Sequence, residues 1–391
     1  MKIGILTYHA VYNFGANLQA YANQTYLKML GHDVYILDYR RNLVHQEYGH
    51  VPRIQADAHE AFVSREFQLT SRCYTREDLK KCCIEQQFDL IIVGSDAVWS
   101  IPGGWDFKKD GLPVFFMDWL FEEPQLVSTA VASISVAHMG NGFKHLDADI
   151  RAKLAHSIRK FSVVNVRDRW TQAAVIDLVG KKQKIHISAD PVFSLYTVPG
   201  LLDSKKEKNL LISPLNESFF APWLQDFKKC VNDCGLSLVE LPIPDKISGL
   251  DVDGVVSFPL DPLDWFRAIA NSEAFIGIRF HAIVSSITCS VPFFSVDSYG
   301  SRFFFVRAFN RLKFPVLGRM FDYKSKIYQL LKGSGFEAMR TNGFRSLTAI
   351  PPKKILDGLL LADKKKIQNL RDKNFTSYAD GISRILAKKF D

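Results

Sequence analysis

The sequence predicts an α/β protein of two domains, each a parallel sheet flanked by helices. Short apolar runs rich in β-branched residues alternate with longer helical patterns, which is typical of parallel sheets covered by helices. The chain has 391 residues, which is long for a single domain. Near residues 195–209 the alternation is interrupted by Pro199, Gly200 and a charged run, and it starts again at NLLISPL. We therefore expect a linker between two similar halves.

Six strands are expected in the N-terminal half. They are predicted at residues 2–8, 32–39, 88–96, 128–136, 162–168 and 184–190. Helices are expected from about Leu18 to Leu30, with Gly31 as the C-cap, and over residues 149–161. Between the second and third strands, residues 40–76 are polar and irregular, which predicts an excursion with one helix.

The C-terminal half repeats the alternation. Strands are predicted at residues 209–215, 236–243, 253–258, 274–279 and 291–297. Helices are predicted at residues 221–234 and 261–272, with a further helix opening near His281, and the chain is expected to be helical from Pro351 onward. These patterns predict an N-terminal domain over residues 1–198, a C-terminal domain over residues 208–350 and a helical tail over residues 351–391.

The composition excludes several classes of function. Fifty Lys and Arg against 41 Asp and Glu give a net charge of +9, but the basic residues are scattered and not interleaved with aromatic residues, so no nucleic-acid partner is expected. The charge indicates either an ordinary basic surface or attraction to anions, such as a phosphorylated substrate or the inner face of a membrane. No segment has the character of a signal peptide or a membrane span. The six cysteines form no Cys-x-x-Cys pair, which favours reduced thiols in a cytoplasmic protein without a metal site.

Two loops in the first half carry polar residues beyond what a turn requires. In open parallel sheets, ligands bind outside the carboxyl ends of the strands, where such loops lie. The loop after the first strand leads into a helix start at about Asn17, whose free N–H groups suit an anion; the alternative is a turn with an asparagine cap. The loop after the third strand contains Ser95 and Asp96. Either one of them caps the next helix, or Asp96 accepts a proton from a sugar hydroxyl.

Two further loops contain arginine at the end of a strand. Arg167 ends the fifth strand beside Asp168, and the two are either functional or only a surface pair. Arg279 and His281 lie two residues apart at the end of a very apolar strand. Because charges there are costly unless they bind something, a functional role is favoured over a satisfied core position.

Taken together, these blocks resemble one family, the polysaccharide pyruvyl transferases, from the first strand to about Arg302. The similar blocks are YHAVYNFGANLQAYA at residues 8–22, FDLIIVGSDAVW at 88–99, AVASIS at 130–135, SVVNVRD at 162–168, ADP at 189–191 and IGIRFHAIVSSITCSVPFFSVD at 276–297. The first block and the Arg-x-His block are the specific ones. Ala97 stands where Gln is usual and Phe280 where Leu is common, and neither change removes a titratable group.

The resemblance implies a fold and a reaction. The fold is that of the GT-B glycosyltransferases, with two facing Rossmann-like domains and the active site in the cleft between them. Members of the family transfer the pyruvyl group of phosphoenolpyruvate onto two neighbouring hydroxyls of a sugar, forming a cyclic ketal and releasing phosphate. This implies a transferase acting on a bacterial polysaccharide or its lipid-linked precursor, with phosphoenolpyruvate as a co-substrate and with no cofactor or metal.

The resemblance also implies roles for individual residues. His281 is expected to be the general acid, because imidazole titrates near neutrality, and Arg279 acts beside it. Arg279 and Arg167, together with His281, are expected to bind the phosphate and carboxylate of phosphoenolpyruvate. The acceptor is expected on the N-terminal domain, at Asn13, Asn17, Ser95 and Asp96.

Two alternatives stay open. A sugar-nucleotide-dependent GT-B glycosyltransferase would need a base and ribose site in the C-terminal domain, where no acidic ribose-binding motif is recognisable. An inactive carbohydrate-binding relative is the other, and the retained Arg167, Arg279 and His281 argue against it. A lipid-linked acceptor would place the enzyme in the cytoplasm, with peripheral contact at the inner face of the membrane. The sequence leaves open the sugar, its hydroxyls, the ketal stereochemistry, the oligomeric state and the roles of residues 40–76 and 351–391.

Overall fold

The computed structural model describes residues 1–40, 48–101, 104–138, 142–203, 205–213, 220–297, 325–342 and 347–388. The chain clusters into two compact units. Unit 1 comprises residues 1–50, 59–198 and 374–391, and unit 2 comprises residues 51–58 and 199–373.

Unit 1 is built around a six-stranded parallel sheet with the order β2-β1-β3-β4-β5-β6. Its strands are β1 (Lys2–Leu6), β2 (Asp33–Ile36), β3 (Leu90–Val93), β4 (Ala130–Val136), β5 (Val163–Val166) and β6 (Ile185–Ile187). The six expected strands are confirmed, and each is shorter than expected. Strand β3 is buried at all four positions, as a strand covered on both faces must be.

The helices of the N-terminal half lie between these strands. They are α1 (Phe14–Met29), α2 (Arg53–Glu66), α3 (Arg76–Gln86), α4 (Phe107–Asp110), α5 (Asp118–Phe121), α6 (Ala148–Arg159) and α7 (Arg169–Val179). Helix α2 is the one expected within residues 40–76, and α6 lies where a helix was expected. Helices α3 and α7 were not expected from the sequence pattern.

Helix α1 begins four residues before the expected start at Leu18, so that expectation is wrong. The cause is Asn13, whose Oδ1 accepts hydrogen bonds from the backbone N–H groups of Gly15 at 3.0 Å and Ala16 at 3.3 Å. The other end agrees better with expectation, because Gly31 follows the helix in the left-handed region with a φ of 85°.

Unit 2 contains a second six-stranded parallel sheet, with the order β12-β11-β10-β7-β8-β9. Its strands are β7 (Asn209–Ile212), β8 (Ser237–Glu240), β9 (Gly254–Val255), β10 (Ala274–Gly277), β11 (Phe293–Asp297) and β12 (Arg340–Asn342). The five expected strands are confirmed, and β12 was not expected. The predicted α/β class, with two parallel sheets flanked by helices, is confirmed.

The helices of the C-terminal half are α8 (Ala221–Asp233), α9 (Pro262–Asn271), α10 (Phe280–Thr288), α11 (Lys326–Leu331), α12 (Pro352–Leu360) and α13 (Lys364–Lys388). Trp223 of α8 stacks with Phe220 and Phe227, and its indole N–H donates to the carbonyl of Ile350 at 2.8 Å. The same core includes three residues of α12, namely Ile355, Leu356 and Leu359. The first helix of the tail is therefore part of the core of unit 2.

The end of α13 packs within unit 1. Tyr378 is completely buried, and its hydroxyl donates to Oδ1 of Asn23 at 2.8 Å. One turn later, a Cβ on Gly381 would lie 2.6 Å from Oγ of Ser188 and 2.9 Å from Cδ1 of Ile134. Residues 374–388 are therefore a structural part of unit 1, held by a close approach that only glycine allows.

We expect Gly381→Ala to lower the melting temperature. The added methyl group overpacks the contact with Ser188 at a cost of about 1–3 kcal/mol, which exceeds the roughly 0.5–1 kcal/mol that alanine gains over glycine in a helix. Gly358→Ala in α12 is the matched control, because its nearest neighbouring atoms are 4.0 Å from the added Cβ. Its melting temperature should rise or stay unchanged. Thermal unfolding followed by circular dichroism checks both variants, and an unchanged melting temperature for Gly381→Ala would contradict the close packing.

Candidate active site

The carboxyl edge of the sheet in unit 1 brings together loops that are far apart in the sequence. The loops after β1, β3, β4, β5 and β6 meet there, because these strands are parallel neighbours. They carry the polar side chains of Thr7, His9, Ser95, Asp96, His138, Arg167 and Asp190. All of these residues except Asp96 are buried, so a polar cluster lies at one edge of a largely apolar unit.

Arg167 follows β5 and is held between two carboxylates. Its Nη1 lies 3.4 Å from Oδ2 of Asp190 and 3.7 Å from Oδ1 of Asp96. The side chains of Arg167 and Asp190 are 4% and 2% exposed, whereas that of Asp96 is 20% exposed. Asp168 caps α7 by accepting from the N–H of Thr171 at 2.7 Å. Because Arg167 is buried and Asp168 is a cap, the alternative of a surface pair is wrong.

The turn after β3 is shaped by a close approach to β4. Gly94 has a φ of 109°, and a Cβ there would lie 2.3 Å from the carbonyl oxygen of Ile134. Two residues on, Asp96 has a φ of 72°, and its carbonyl accepts from the N–H of Ala137 at 2.7 Å. Neighbouring β4 therefore fixes the backbone from which the Asp96 carboxylate projects.

Ser95 lies in the same turn and is completely buried. Its carbonyl accepts from the hydroxyl of Thr7 at 3.1 Å, which ties the loops after β1 and β3 together. Its own hydroxyl has no hydrogen-bond partner among the residues that the structure describes, a situation that costs about 1–3 kcal/mol. The next helix, α4, is capped by Asp106, so the alternative that Ser95 or Asp96 caps it is wrong.

Asn13 and Asn17 organise the loop after β1. Asn17 is completely buried in the first turn of α1, where its amide donates to the carbonyl of His9 at 2.7 Å and its Oδ1 accepts from Nδ1 of His59 at 2.9 Å. Its backbone N–H donates to the carbonyl of Asn13 at 3.1 Å. Free N–H groups at Asn17 were expected, and that expectation is wrong because the helix begins earlier and Asn13 caps it.

His9 and Asp38 form a buried pair at the ends of two neighbouring strands. Nε2 of His9 lies 3.0 Å from Oδ1 of Asp38, and Nε of Arg40 donates to the same oxygen at 2.8 Å. Burial alone would raise the pKa of Asp38, but the hydrogen bonds and charges of His9 and Arg40 lower it to about 2. Asp38 is therefore negatively charged at every pH near neutrality.

Some residues of this edge were not singled out from the sequence. His138 follows β4, and its ring lies 6.0 Å from that of Trp170. His59 contacts Asn17 across 42 residues, and no spacing rule connects them. For Asp190 a signal existed in the ADP block, but three residues are too few to be specific.

In unit 2, Arg279 and His281 lie where β10 ends and α10 begins. Arg279 is the N-cap residue of α10, and its side chain makes no capping hydrogen bond. Its Nη2 lies 3.9 Å from Oδ2 of Asp245, and the side chain is 46% exposed. His281 follows in the first turn of the helix, half-buried, with its ring edge-on to that of Phe280 at 5.2 Å.

The start of α10 suits an anion with more than one negative oxygen. The first turn contains no acidic residue, and the N-terminus of a helix carries partial positive charge. Arg279 adds a guanidinium that binds phosphate or carboxylate in a bidentate manner, and His281 adds a group that donates or accepts a proton. One loop thus combines anion binding with acid–base chemistry.

The predicted site residues fall into three groups. Ser95, Asp96 and Arg167 lie together at the carboxyl edge of unit 1, and Asn13 and Asn17 occupy the loop after the adjacent strand β1. Arg279 and His281 lie together in unit 2, where β10 ends and α10 begins. Their roles toward a donor or an acceptor stay predictions.

Three further features bear on chemistry and location. Within the described ranges, no group of three or more His, Cys, Asp or Glu side chains is arranged to hold a metal ion. None of the described helices has the length and apolar character needed to cross a membrane. The six cysteines are free thiols.

The chain is similar to known proteins in sequence and in fold. A family model described as polysaccharide pyruvyl transferase matches residues 13–299. No curated protein is significantly similar in sequence. Solved structures with a similar fold include three UDP-N-acetylglucosamine 2-epimerases, each 8% identical.

The epimerase of Neisseria meningitidis, bound to UDP-GlcNAc, has a TM-score of 0.55, with 99% of this chain and 100% of that chain covered. The Rickettsia bellii enzyme has a TM-score of 0.53, with 99% and 96% covered. The Methanocaldococcus jannaschii enzyme has a TM-score of 0.51, with 99% of both chains covered. At this identity the likeness shows the fold alone, and it confirms the predicted GT-B-like type with two Rossmann-like domains.

We expect Asp38→Asn to lower the melting temperature at pH 7. The pKa of Asp38 falls from 3.8 to about 2 on folding, which corresponds to about 2 kcal/mol. Because the folded pKa is the lower one, this stabilisation is present above pH 3.8 and is lost as the pH falls through the folded value. The difference in melting temperature between the protein and the variant should therefore shrink on acidification.

The control is Asp57→Asn, which removes the partner of Arg53 in an exposed i,i+4 pair. Such pairs contribute about 0.3–0.5 kcal/mol, so its melting temperature should change little. Thermal unfolding across the acid range measures both variants. A constant difference between the protein and Asp38→Asn over that range would contradict the role given to the carboxylate.

Proposed function

Because the chain belongs to the polysaccharide pyruvyl transferase family, we propose that it transfers the pyruvyl group of phosphoenolpyruvate onto two neighbouring hydroxyls of a sugar, forming a cyclic ketal and releasing phosphate. The family makes the protein a transferase with a sugar or polysaccharide acceptor. In the proposal, the acceptor is a sugar of a bacterial polysaccharide or of its lipid-linked precursor. Phosphoenolpyruvate is a co-substrate, and the chemistry calls for no resident cofactor or metal.

The proposed reaction balances in atoms and charge. Protonation of the methylene carbon of phosphoenolpyruvate makes a methyl group and leaves an oxocarbenium-like carbon, which one sugar hydroxyl attacks. The bond from this carbon to the phosphate oxygen breaks, and the second hydroxyl closes the ring. Of the two hydroxyl protons, one balances the new methyl group and the other leaves with the phosphate. The enzyme must therefore supply both a proton donor and a proton acceptor.

The observation that carries the proposal is the loop of Arg279 and His281. Arg279 is half-exposed, and its ion pair with Asp245 is long at 3.9 Å, so its guanidinium is available to the phosphate or carboxylate of the donor. His281 lies two residues away at the positively polarised start of α10. An anionic donor bound there lies beside a group suited to protonate it, and in the proposal His281 is the general acid.

The acceptor is assigned to the carboxyl edge of unit 1. Ser95 supports this side from beneath, because its carbonyl accepts from the hydroxyl of Thr7 and so ties together the loops after β1 and β3. The partly exposed carboxylate of Asp96 is suited to accept a proton from a hydroxyl of the acceptor. Asn13 and Asn17 support this side by fixing the adjacent loop, since their side chains are engaged within it.

Arg167 is assigned to phosphoenolpyruvate on the family resemblance alone. In unit 1 its guanidinium lies between Asp96 and Asp190, which holds it in one position. The two carboxylates fix the orientation of the guanidinium before any ligand binds, which is the pre-organisation that a binding site needs.

The proposed setting is the cytoplasm, with peripheral contact at the inner face of the membrane where the acceptor is lipid-linked. The six free cysteines suit a reducing compartment. The net charge of +9 favours contact with anionic lipid.

The direct test is incubation of the protein with phosphoenolpyruvate and a panel of galactosides, glucosides and mannosides. Phosphate release and mass spectrometry should show a sugar heavier by one pyruvate minus one water. His281→Ala should lower kcat about 10²- to 10⁴-fold, which is the usual contribution of general acid–base catalysis. Arg279→Lys should raise the KM for phosphoenolpyruvate, because an ammonium group cannot replace the bidentate fork.

Two matched variants serve as controls. His145→Ala removes an exposed histidine of unit 1, and Arg267→Lys changes a half-exposed arginine of α9. Both should keep normal turnover. Normal turnover by His281→Ala and Arg279→Lys would overturn the assignment of the site.

Ligand-induced stabilisation separates the reaction from its alternatives. Phosphoenolpyruvate should raise the melting temperature of the protein but not that of Arg279→Lys, because binding to the folded state stabilises it by mass action. Stabilisation by a nucleotide-sugar in place of phosphoenolpyruvate would favour a glycosyltransferase. Stabilisation by a sugar, with turnover from neither donor, would indicate an inactive carbohydrate-binding protein.

A further inference from the structure

A cavity of about 1120 Å³ lies at the amino edge of the sheet in unit 1. It is formed where β5 and β6 begin, by the turn after α7 and by the end of α13. Because β5 and β6 are parallel, their first residues lie at the edge opposite to the one that carries Arg167 and Asp190. The cavity is therefore separate from the carboxyl-edge cluster.

The lining of this cavity is strongly cationic. Six basic side chains contribute to it, namely Arg159, Lys181, Lys182, Lys184, Arg384 and Lys388, and among the described residues no Asp or Glu does. In the part of the chain that the structure describes, none of the six forms an ion pair. Arg159 donates to the carbonyl of Val179 at 2.9 Å, and Arg384 donates to Oδ1 of Asn165 at 3.1 Å. Neutral acceptors therefore hold the two guanidinium groups in place, and no described carboxylate pairs with either of them.

His186 lines the same cavity, and its pKa depends on the charges there. Burial lowers the pKa of His186, and the charges of Arg384 and Lys184 lower it further. The cations of the cavity thus already disfavour an added positive charge. An anion bound among them would offset this effect and raise the pKa of His186.

Another part of the wall is apolar. It consists of Phe161, Val163, Val164 and Val179, which are buried beneath the basic rim, and of the exposed Ala387. A small inorganic anion would use only the basic rim. A membrane surface presents many phosphate groups at once and would contact the whole rim, because clustered basic residues attract anionic membrane lipids.

We propose that this cavity is a binding site for the phosphate group of an anionic membrane lipid. The proposal identifies the surface through which unit 1 contacts a membrane. It rests on the proposed function, because it specifies the membrane contact assigned there. It is independent of the pyruvyl transfer step, because lipid binding and turnover on a soluble sugar are measured separately. Free pyrophosphate carries the same kind of phosphate group as the lipid. The experiments below distinguish binding of a lipid from binding of the free anion.

The first experiment is co-sedimentation of the full chain with vesicles of phosphatidylcholine, with and without phosphatidylglycerol. The protein should bind only the anionic vesicles. Lys181→Glu/Lys182→Glu should lower the partition coefficient at least about tenfold, since each basic residue near an anionic surface contributes on the order of 1 kcal/mol. Lys108→Glu/Lys109→Glu is the control, because it makes the same change of charge on two exposed lysines of α4. It should keep most of the binding.

The second experiment follows the titration of His186 by NMR. Soluble short-chain phosphatidylglycerol should raise the pKa of His186 in the protein, and not in Lys181→Glu/Lys182→Glu. Equal loss of vesicle binding by both lysine pairs would overturn the site in favour of general charge attraction. Pyrophosphate raising the pKa, without any binding to vesicles, would overturn the lipid assignment.

Pyruvyl transfer to a soluble sugar provides the last control. Lys181→Glu/Lys182→Glu should keep it unchanged, because neither lysine lies in the candidate active site. Loss of vesicle binding with retained transfer supports the lipid site. Vesicle binding by a protein that transfers no pyruvyl group would leave the lipid site standing and count against the proposed reaction alone.

Discussion

Parallel pairing of the strands is the constraint on which the rest of this molecule depends. Because all strands of a sheet run in one direction, their carboxyl ends lie at a single edge, and the chain must cross back after each strand. Residues as distant in sequence as His9 and Arg167 therefore reach the same edge of unit 1. The close approach of Gly94 to Ile134 then fixes the turn that carries Asp96. Neighbouring strands, more than the loops themselves, determine where the polar side chains point.

The charges at this edge are paired in a way that makes the unit 1 side rigid. A buried ion costs several kcal/mol unless it is paired and hydrogen-bonded, and here Asp38 is matched by His9 and Arg40. Arg167 is likewise matched by carboxylates from two other loops. Arg279 in unit 2 differs, because it is half-exposed and its one ion pair among the described residues is long, at 3.9 Å. This contrast suits the proposed chemistry, in which Arg167 is a fixed cation for the donor and Arg279 is an exposed cation that can adjust to it.

The sequence predicted the sheets well because each strand is a short apolar run that depends mainly on its own composition. It failed where the outcome depends on partners: β12 is the short segment Arg340–Asn342 and is a strand only because β11 lies beside it. The start of α1 was misplaced because either Asn13 or Asn17 fits a cap, and only the backbone decides between them. The Arg-x-His loop was found because two polar residues follow an apolar strand. The contact of His59 with Asn17 has no local signature, since it joins separate segments through tertiary packing.

The distribution of charge in unit 1 gives the net charge of +9 a more specific meaning. At the carboxyl edge, cations and carboxylates occur together, which lowers the energy of burying them. At the amino edge, six basic side chains line one cavity to which no described Asp or Glu contributes, and like charges so placed repel one another. A phosphate group bound among these side chains would reduce the repulsion between them. The two edges of one sheet thus differ in their electrostatics: carboxylates of the chain lie beside the cations at one edge, and in our proposal a lipid phosphate lies beside them at the other.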